Sequence, residues 1–303
     1  MKAVIYKKYG PPEVLTLTEI EKPVLKANEI LVKIHAASVT SGDIRLRASD
    51  FPSGFWLIAR IVFGIFSPRK KILGSEYAGV VEAIGPKVTK FSVGDEVFGT
   101  TSKLKSGSYS EFLAVPETGI VALKPANFNF NEAAVLPIGM LTALFLLRKA
   151  AIKNANQVLI YGASGSVGSY AVQIAKYYGA KVTAVCSGAN AEMVQSLGAD
   201  AAIDYKKEDF TLLEQKFDLV FDAVGKISKA KAKNILKNDG VYTSTNKYTP
   251  EKVATLHEIR ELAEAGKIKP FIDKTYPLAD IVAAHRYVDT GRKRGNLAIE
   301  IIS

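Results

Sequence analysis

Tyr161-Gly162-Ala163-Ser164-Gly165-Ser166-Val167-Gly168 is the stretch whose reading decides the fold. It follows Gln157-Val158-Leu159-Ile160, an apolar run short enough for a buried strand. It opens a segment, Ser169 to Tyr178, in which Ala171, Val172, Ile174 and Ala175 recur at helical spacing. Glycine fits where the backbone turns sharply or touches phosphate, because a Cβ would collide there. The first turn of a helix offers unsatisfied N–H groups and a positive dipole end. Strand, glycine turn and helix start together predict a dinucleotide diphosphate site over Gly162, Ala163, Ser164, Gly165, Ser166, Val167 and Gly168. A serine-hydrolase elbow would need glycine at position 166, where serine stands.

Outward from this stretch the pattern continues. Lys181 to Cys186 reads as a second strand, Ala191 to Leu197 as a short helix, Ala201 to Asp204 as a third strand and Phe217 to Phe221 as a fourth. That alternation predicts a doubly wound parallel sheet of the Rossmann kind. Residues 1 to 124 lack the rhythm. They carry β signals at Glu29–Ile34, Gly79–Ile84 and Glu96–Gly99, with turns at Gly85-Pro86 and Gly94-Asp95, and predict a separate β domain. Asn131 to Ala150 is helix-forming, interrupted by Pro137. After about residue 267 an extended run, a helix at Ala279–Val288 and a strand at Leu297–Ile302 predict a return to the β domain. The expected division is 1–124 completed by 268–303, and 125–267 for the dinucleotide-binding domain.

The 303 residues are 48% hydrophobic and 23% charged, an ordinary globular composition with room for two domains. The single cysteine, Cys186, excludes an intramolecular disulfide framework and a multi-cysteine zinc site, and suits a cytoplasmic setting. The N-terminus reads as a strand rather than a signal peptide. The net charge is +10, but the basic residues are scattered apart from Arg69-Lys70-Lys71, which argues against nucleic acid as a partner. Phe55 to Phe66 is the most apolar run; it is too short to span a bilayer and contains Arg60. It is expected to be a helix or lid packed on the core, with a membrane-surface patch as the alternative.

The end of the second strand separates the two nicotinamide dinucleotides. A carboxylate there binds free ribose hydroxyls and repels a 2′-phosphate. Cys186-Ser187-Gly188-Ala189-Asn190 has no acid. Ser187 and Asn190 can donate hydrogen bonds, Lys206 and Lys207 add charge, and Tyr205 beside them joins the predicted cofactor set. NADP is therefore expected rather than NAD.

The chain resembles the medium-chain dehydrogenase/reductase superfamily, and within it the zinc-free quinone oxidoreductase branch. The landmarks are Ala36 to Asp43, Gly74 to Val81, Val93 to Gly99, Leu136-Pro137, Leu141-Thr142-Ala143, the glycine loop, and Leu197-Gly198-Ala199-Asp200. The resemblance implies a GroES-like β domain joined to a Rossmann domain. It also implies that Thr40, Ser75 and Ile138 stand where zinc-bearing relatives carry metal ligands. Hydroxyls and an alkyl chain cannot replace thiolate and imidazole on zinc, so no metal is expected. The histidines His35, His257 and His285 form no ligand motif. Without a Lewis acid, hydride transfer to a quinone or an α,β-unsaturated carbonyl is the expected reaction, because the developing enolate needs only hydrogen-bond donors. The resemblance places Thr40 and Arg45 in the catalytic site and Thr142 near the cofactor. Arg45 falls where some relatives have tyrosine, and Tyr77 is a substitute proton donor if it is not simply structural. The short connection from Ser244 to Pro250 means either a missing last strand or an omitted stretch, which leaves a homodimer open. The competing reading is a non-catalytic NADPH sensor or RNA-binding protein of the same fold.

Overall fold

The structure, a computed structural model, describes residues 1–51, 54 and 56–302. The chain forms two compact units: Met1–Pro137 with Lys252–Glu261 and Ile272–Ser303, and Ile138–Glu251 with Leu262–Phe271.

The first unit begins with β1 (Lys2–Ile5) and β2 (Thr16–Glu19), an antiparallel pair. Its main strands are β3 (Glu29–Ser38), β4 (Glu76–Ile84), β5 (Glu96–Thr100), β6 (Phe112–Pro116) and β7 (Val121–Leu123). Two helices lie between β3 and β4: α1 (Ser41–Ala48) and α2 (Trp56–Phe63). A short α3 (Phe130–Ala134) follows β7, capped by Asn129 and Glu132 in a reciprocal box.

The second unit starts with α4 (Pro137–Lys149). The helical stretch from Asn131 thus breaks at Pro137, which takes the first position of a new helix, where its missing N–H costs nothing. Then come β8 (Gln157–Tyr161), α5 (Ser166–Tyr177), β9 (Lys181–Cys186), α6 (Ala191–Ser196), β10 (Ala201–Asp204), β11 (Phe217–Asp222), α7 (Lys229–Ile235) and β12 (Leu236–Ser244). The sheet order is β10-β9-β8-β11-β12, all parallel. Strands buried on both faces need continuous apolar runs, and Val158, Leu159 and Ile160 are fully buried. Burying each such side chain contributes about 1.5–3 kcal/mol. Among the described residues this sheet ends at β12, and the chain passes directly to α8 (Val253–Glu264).

The tail, β13 (Ile272–Pro277), α9 (Ile281–Asp289) and β14 (Asn296–Glu300), belongs to the first unit. β14 pairs antiparallel with β3 at Ala298↔Ser38, extending the sheet to order β13-β14-β3-β4-β5-β7, with β6 also on β3. Val4, Leu73, Tyr109, Ile281 and Leu297 share one buried cluster there.

One expectation fails. The apolar run before Phe66 does form a helix, α2, but no residue of that helix is buried. Phe55 lies outside the described residues. The inward side carries Arg60, whose guanidinium carbon sits 4.1 Å from the Tyr9 ring centre and 5.5 Å from that of Trp56. A charged inner residue keeps this helix from sinking into the core.

Candidate functional site

The glycine loop is built by close approach. Gly162 has φ +75, and a Cβ there would lie 2.3 Å from Val224 Cγ2. Val224 is held in place by Asp222 at the end of β11. That buried carboxylate accepts from the N–H groups of Val224 (2.9 Å), Gly225 (2.7 Å) and Ile227 (2.8 Å), and from the Tyr242 hydroxyl (3.1 Å). A Cβ at Gly168 would lie 2.1 Å from the Gly162 carbonyl oxygen, so the first turn of α5 needs glycine to close on the loop. Gly165 is different: its φ is ordinary at −84 and the nearest atom to a Cβ would be Gly162 O at 3.4 Å. It caps α5 without any side-chain hydrogen bond.

The loop amides are not equivalent. Gly162 and Ala163 both donate to Val185 O (3.0 and 3.2 Å), and Gly165 donates to Gly162 O (3.0 Å). Those three serve the loop itself. Gly165, at the start of α5, keeps an open side, and a helix start of this kind suits an anion.

Other residues of the predicted cofactor set gather beside it. Ser187 and Asn190, both half-buried, follow β9, and Asn190 Nδ2 donates to Ser164 Oγ at 3.0 Å. Tyr205 is half-exposed, edge-on to Tyr161 with ring centres 6.5 Å apart. Thr142 is half-buried on α4, and a Cβ at Gly139 on that helix would lie 2.7 Å from Ser166 Oγ, so α4 packs closely on α5. Sequence reasoning missed one neighbour. Asp204, at the end of β10, brings Oδ2 within 2.6 Å of where a Gly188 Cβ would be. The turn after β9 contains no acid of its own, yet a carboxylate reaches it from the next strand.

In the first unit, Thr40 caps α1 through a reciprocal box with Asp43. Thr40 N and Oγ1 both donate to Asp43 Oδ2 (2.8 and 2.6 Å), while Asp43 N donates back to Thr40 Oγ1 (3.1 Å). Asp43 Oδ1 accepts from Gly74 N (3.3 Å) and from Ser75 Oγ (2.7 Å). The carboxyl is buried, and burial pushes its pKa above the usual range against the opposing pull of Thr40 and Ser75. Thr40 and Ser75 are thus tied to one carboxylate. Hydroxyls engaged in this way do not fit zinc, and among the described residues no three His, Cys, Asp or Glu side chains group as ligands would.

Arg45 is exposed on α1 and takes no part in the Asp43 cluster. Tyr77 is fully buried with its hydroxyl unpartnered among the described residues, and burial raises its pKa. It is closed to solvent and suits a packing role. His285 is buried too, bonded to Arg47 Nη1 (3.2 Å) and the Tyr109 hydroxyl (3.3 Å).

The comparisons agree with this architecture. Residues 26–125 match the family described as alcohol dehydrogenase GroES-like domain, and residues 166–260 one described as zinc-binding dehydrogenase. The chain is 37% identical over 321 residues to 2-methylene-furan-3-one reductase of Solanum lycopersicum, covering 100% of this chain and 79% of that protein. It is 35% identical over 318 residues to the chloroplastic NADPH-dependent alkenal/one oxidoreductase of Arabidopsis thaliana, covering 99% and 79%. The solved quinone oxidoreductase from Coxiella burnetii superposes with TM-score 0.89 at 28% identity, covering 100% of this chain and 99% of that one. A β domain of this kind joined in one chain to a parallel-sheet nucleotide fold defines an oxidoreductase class. The chain belongs to the medium-chain dehydrogenase/reductase superfamily.

Proposed function

We propose that this chain is an NADPH-dependent reductase of α,β-unsaturated carbonyls or quinones that works without zinc. The observation that carries the reading is the likeness, over at least 99% of this chain and 79% of each relative, to two reductases named for conjugated carbonyl compounds. A 2-methylene-furan-3-one is itself an enone, with its exocyclic carbon conjugated to the ketone.

When bound, the cofactor supplies hydride. The chain's own residues position it. The start of α5 would hold the diphosphate, Ser187, Asn190 and Tyr205 would hold the ribose and its phosphate, and Thr142 would lie near the cofactor. Reduction at the β-carbon develops charge on the acceptor oxygen, which needs hydrogen-bond donors. Thr40 gives its hydroxyl proton to Asp43, so while Asp43 is ionised it offers a lone pair rather than a proton. We assign it to positioning a hydroxyl of cofactor or substrate, with the final proton coming from water. Arg45 would assist only electrostatically, since it stays charged. Residues 1–124 with 268–303 would hold the acceptor and 125–267 the cofactor. The buried free thiol of Cys186 suits a cytoplasmic setting.

The test is turnover. Protein dialysed against a chelator should oxidise NADPH with an enone, an enal or a quinone at the rate of untreated protein. Intact cofactor binding with no turnover across all three would overturn the reading. Salt-sensitive RNA binding in that circumstance would favour the sensor alternative.

A further inference from the structure

We propose that α2 and the chain just after it form a docking surface for an anionic lipid bilayer. The helix turns four aliphatic residues to solvent on one face: Leu57 (65% exposed), Ile58 (58%), Ile61 (50%) and Val62 (55%). At 100° per residue these span an arc of about 140° with no polar member. Phe66, just beyond, is 94% exposed. A contiguous exposed apolar patch of this kind marks an interaction site rather than ordinary surface. The eight-residue helix is far too short to cross a bilayer, so it would lie in the interface.

Charge identifies the occupant. No acid occurs between Asp50 and Glu76, and Glu76 is buried. Arg69 and Lys71 are exposed at the C-terminal side of the patch. Tyr9 donates to Gly64 O at 2.9 Å and lies under Arg60, and Tyr6 N donates to Lys71 O at 3.0 Å, which brings the exposed Lys7 and Lys8 to the same end of the patch as Arg69 and Lys71. Lys70 is committed to Thr101 and is not counted. An apolar face flanked at one end by this cluster of cations, on a chain of net charge +10, complements anionic headgroups over acyl chains. A second copy would present the same basic cluster and, between Asp50 and Glu76, no acid to pair with it. The inference stands apart from the reductase reading, since binding is measured with neither cofactor nor acceptor.

Trp56, on α2, is the only tryptophan of the chain, so its fluorescence reports this surface alone. The whole protein is titrated with phosphatidylcholine vesicles and with vesicles containing phosphatidylglycerol at roughly one lipid in four. We expect a blue shift and co-sedimentation with the anionic vesicles only, reversed by high salt. Ile58→Asp with Ile61→Asp should abolish both signals. Arg69→Glu with Lys71→Glu should weaken binding on the order of tenfold or more. All four positions are exposed, and unchanged thermal melting and NADPH oxidation would show that the variants remain folded. Equal binding to pure phosphatidylcholine would overturn the proposal. So would no binding to either vesicle, or a blue shift that grows with protein concentration alone, which would assign the face to self-association.

Discussion

Thr40 and Ser75, 35 positions apart, donate their hydroxyl protons to opposite oxygens of the same buried carboxylate, Asp43, at 2.6 and 2.7 Å. The pair's hydrogen bonding thus closes on that one carboxylate.

Thr40 should act through its hydroxyl. Thr40→Val removes the cap of α1 and one partner of Asp43. By loosening the position of the bound hydroxyl it should lower kcat/KM for an enone on the order of tenfold, and stability by about 1 kcal/mol. Thr40→Ser keeps the oxygen and should retain most of both. Steady-state kinetics and chemical unfolding of the two variants check this. Equal activity in wild type and valine variant would remove Thr40 from the site.

The two loop glycines should separate folding from binding. Gly165→Ala places a methyl 3.4 Å from its nearest neighbour, so the protein should fold normally. If the diphosphate lies over this glycine as proposed, the methyl would meet it, and NADPH affinity should fall on the order of tenfold or more. Gly168→Ala puts its methyl 2.1 Å from a carbonyl oxygen and should lower stability itself. Cofactor titration beside thermal melting distinguishes the two effects.

Asp204 should tune the choice of cofactor. Its carboxylate reaches the turn of Ser187 and Asn190 and would repel a nearby 2′-phosphate. Asp204→Asn should tighten NADPH severalfold and leave NADH little changed, measured as the ratio of the two dissociation constants.

His285 should make stability fall in mild acid. Burial, with the Arg47 charge beside it, holds its pKa at about 3, below the ordinary 6.5. The unfolded chain takes up a proton near 6.5 that the fold refuses. The stability is therefore full above that value and is lost as pH falls toward 3. From about pH 7.5 to about pH 5 the loss from this group should be roughly 2 kcal/mol. Urea unfolding across that range should show the slope, and His285→Gln should flatten it.

Much of the fold was readable locally. Gln157 to Tyr178 switches from strand to helix period across three glycines, and Lys181–Cys186 is a β-rich run before a turn, so both elements fall where their residues put them. Pro137 announces its own break. Long-range pairings were not readable. Thr40 and Asp43 stand at capping-box spacing, but nothing local says that Ser75 joins them. Asp204 lies on a strand whose end meets the cofactor turn only after the sheet is assembled. Asp222 takes three amides from the turn that follows it, but nothing local says that the Tyr242 hydroxyl, 20 positions on, joins them. The run ending at Phe66 misled for another reason: hydropathy reports what avoids water, and a face kept for a partner reads like a face kept for the core.

The last strand of the parallel sheet has a consequence for assembly. Leu236 pairs with Phe217 and Val241 with Leu219, so Lys237, Asn238, Asp239 and Gly240 bulge out between two rungs of the ladder. Lys237 is also anchored to Asp218 at 2.8 Å. A margin so crimped and charged is a poor template for another strand. Beyond the crimp only Val241–Ser244 keep regular register, so a neighbouring copy would have no more than that short run of amides to zip onto.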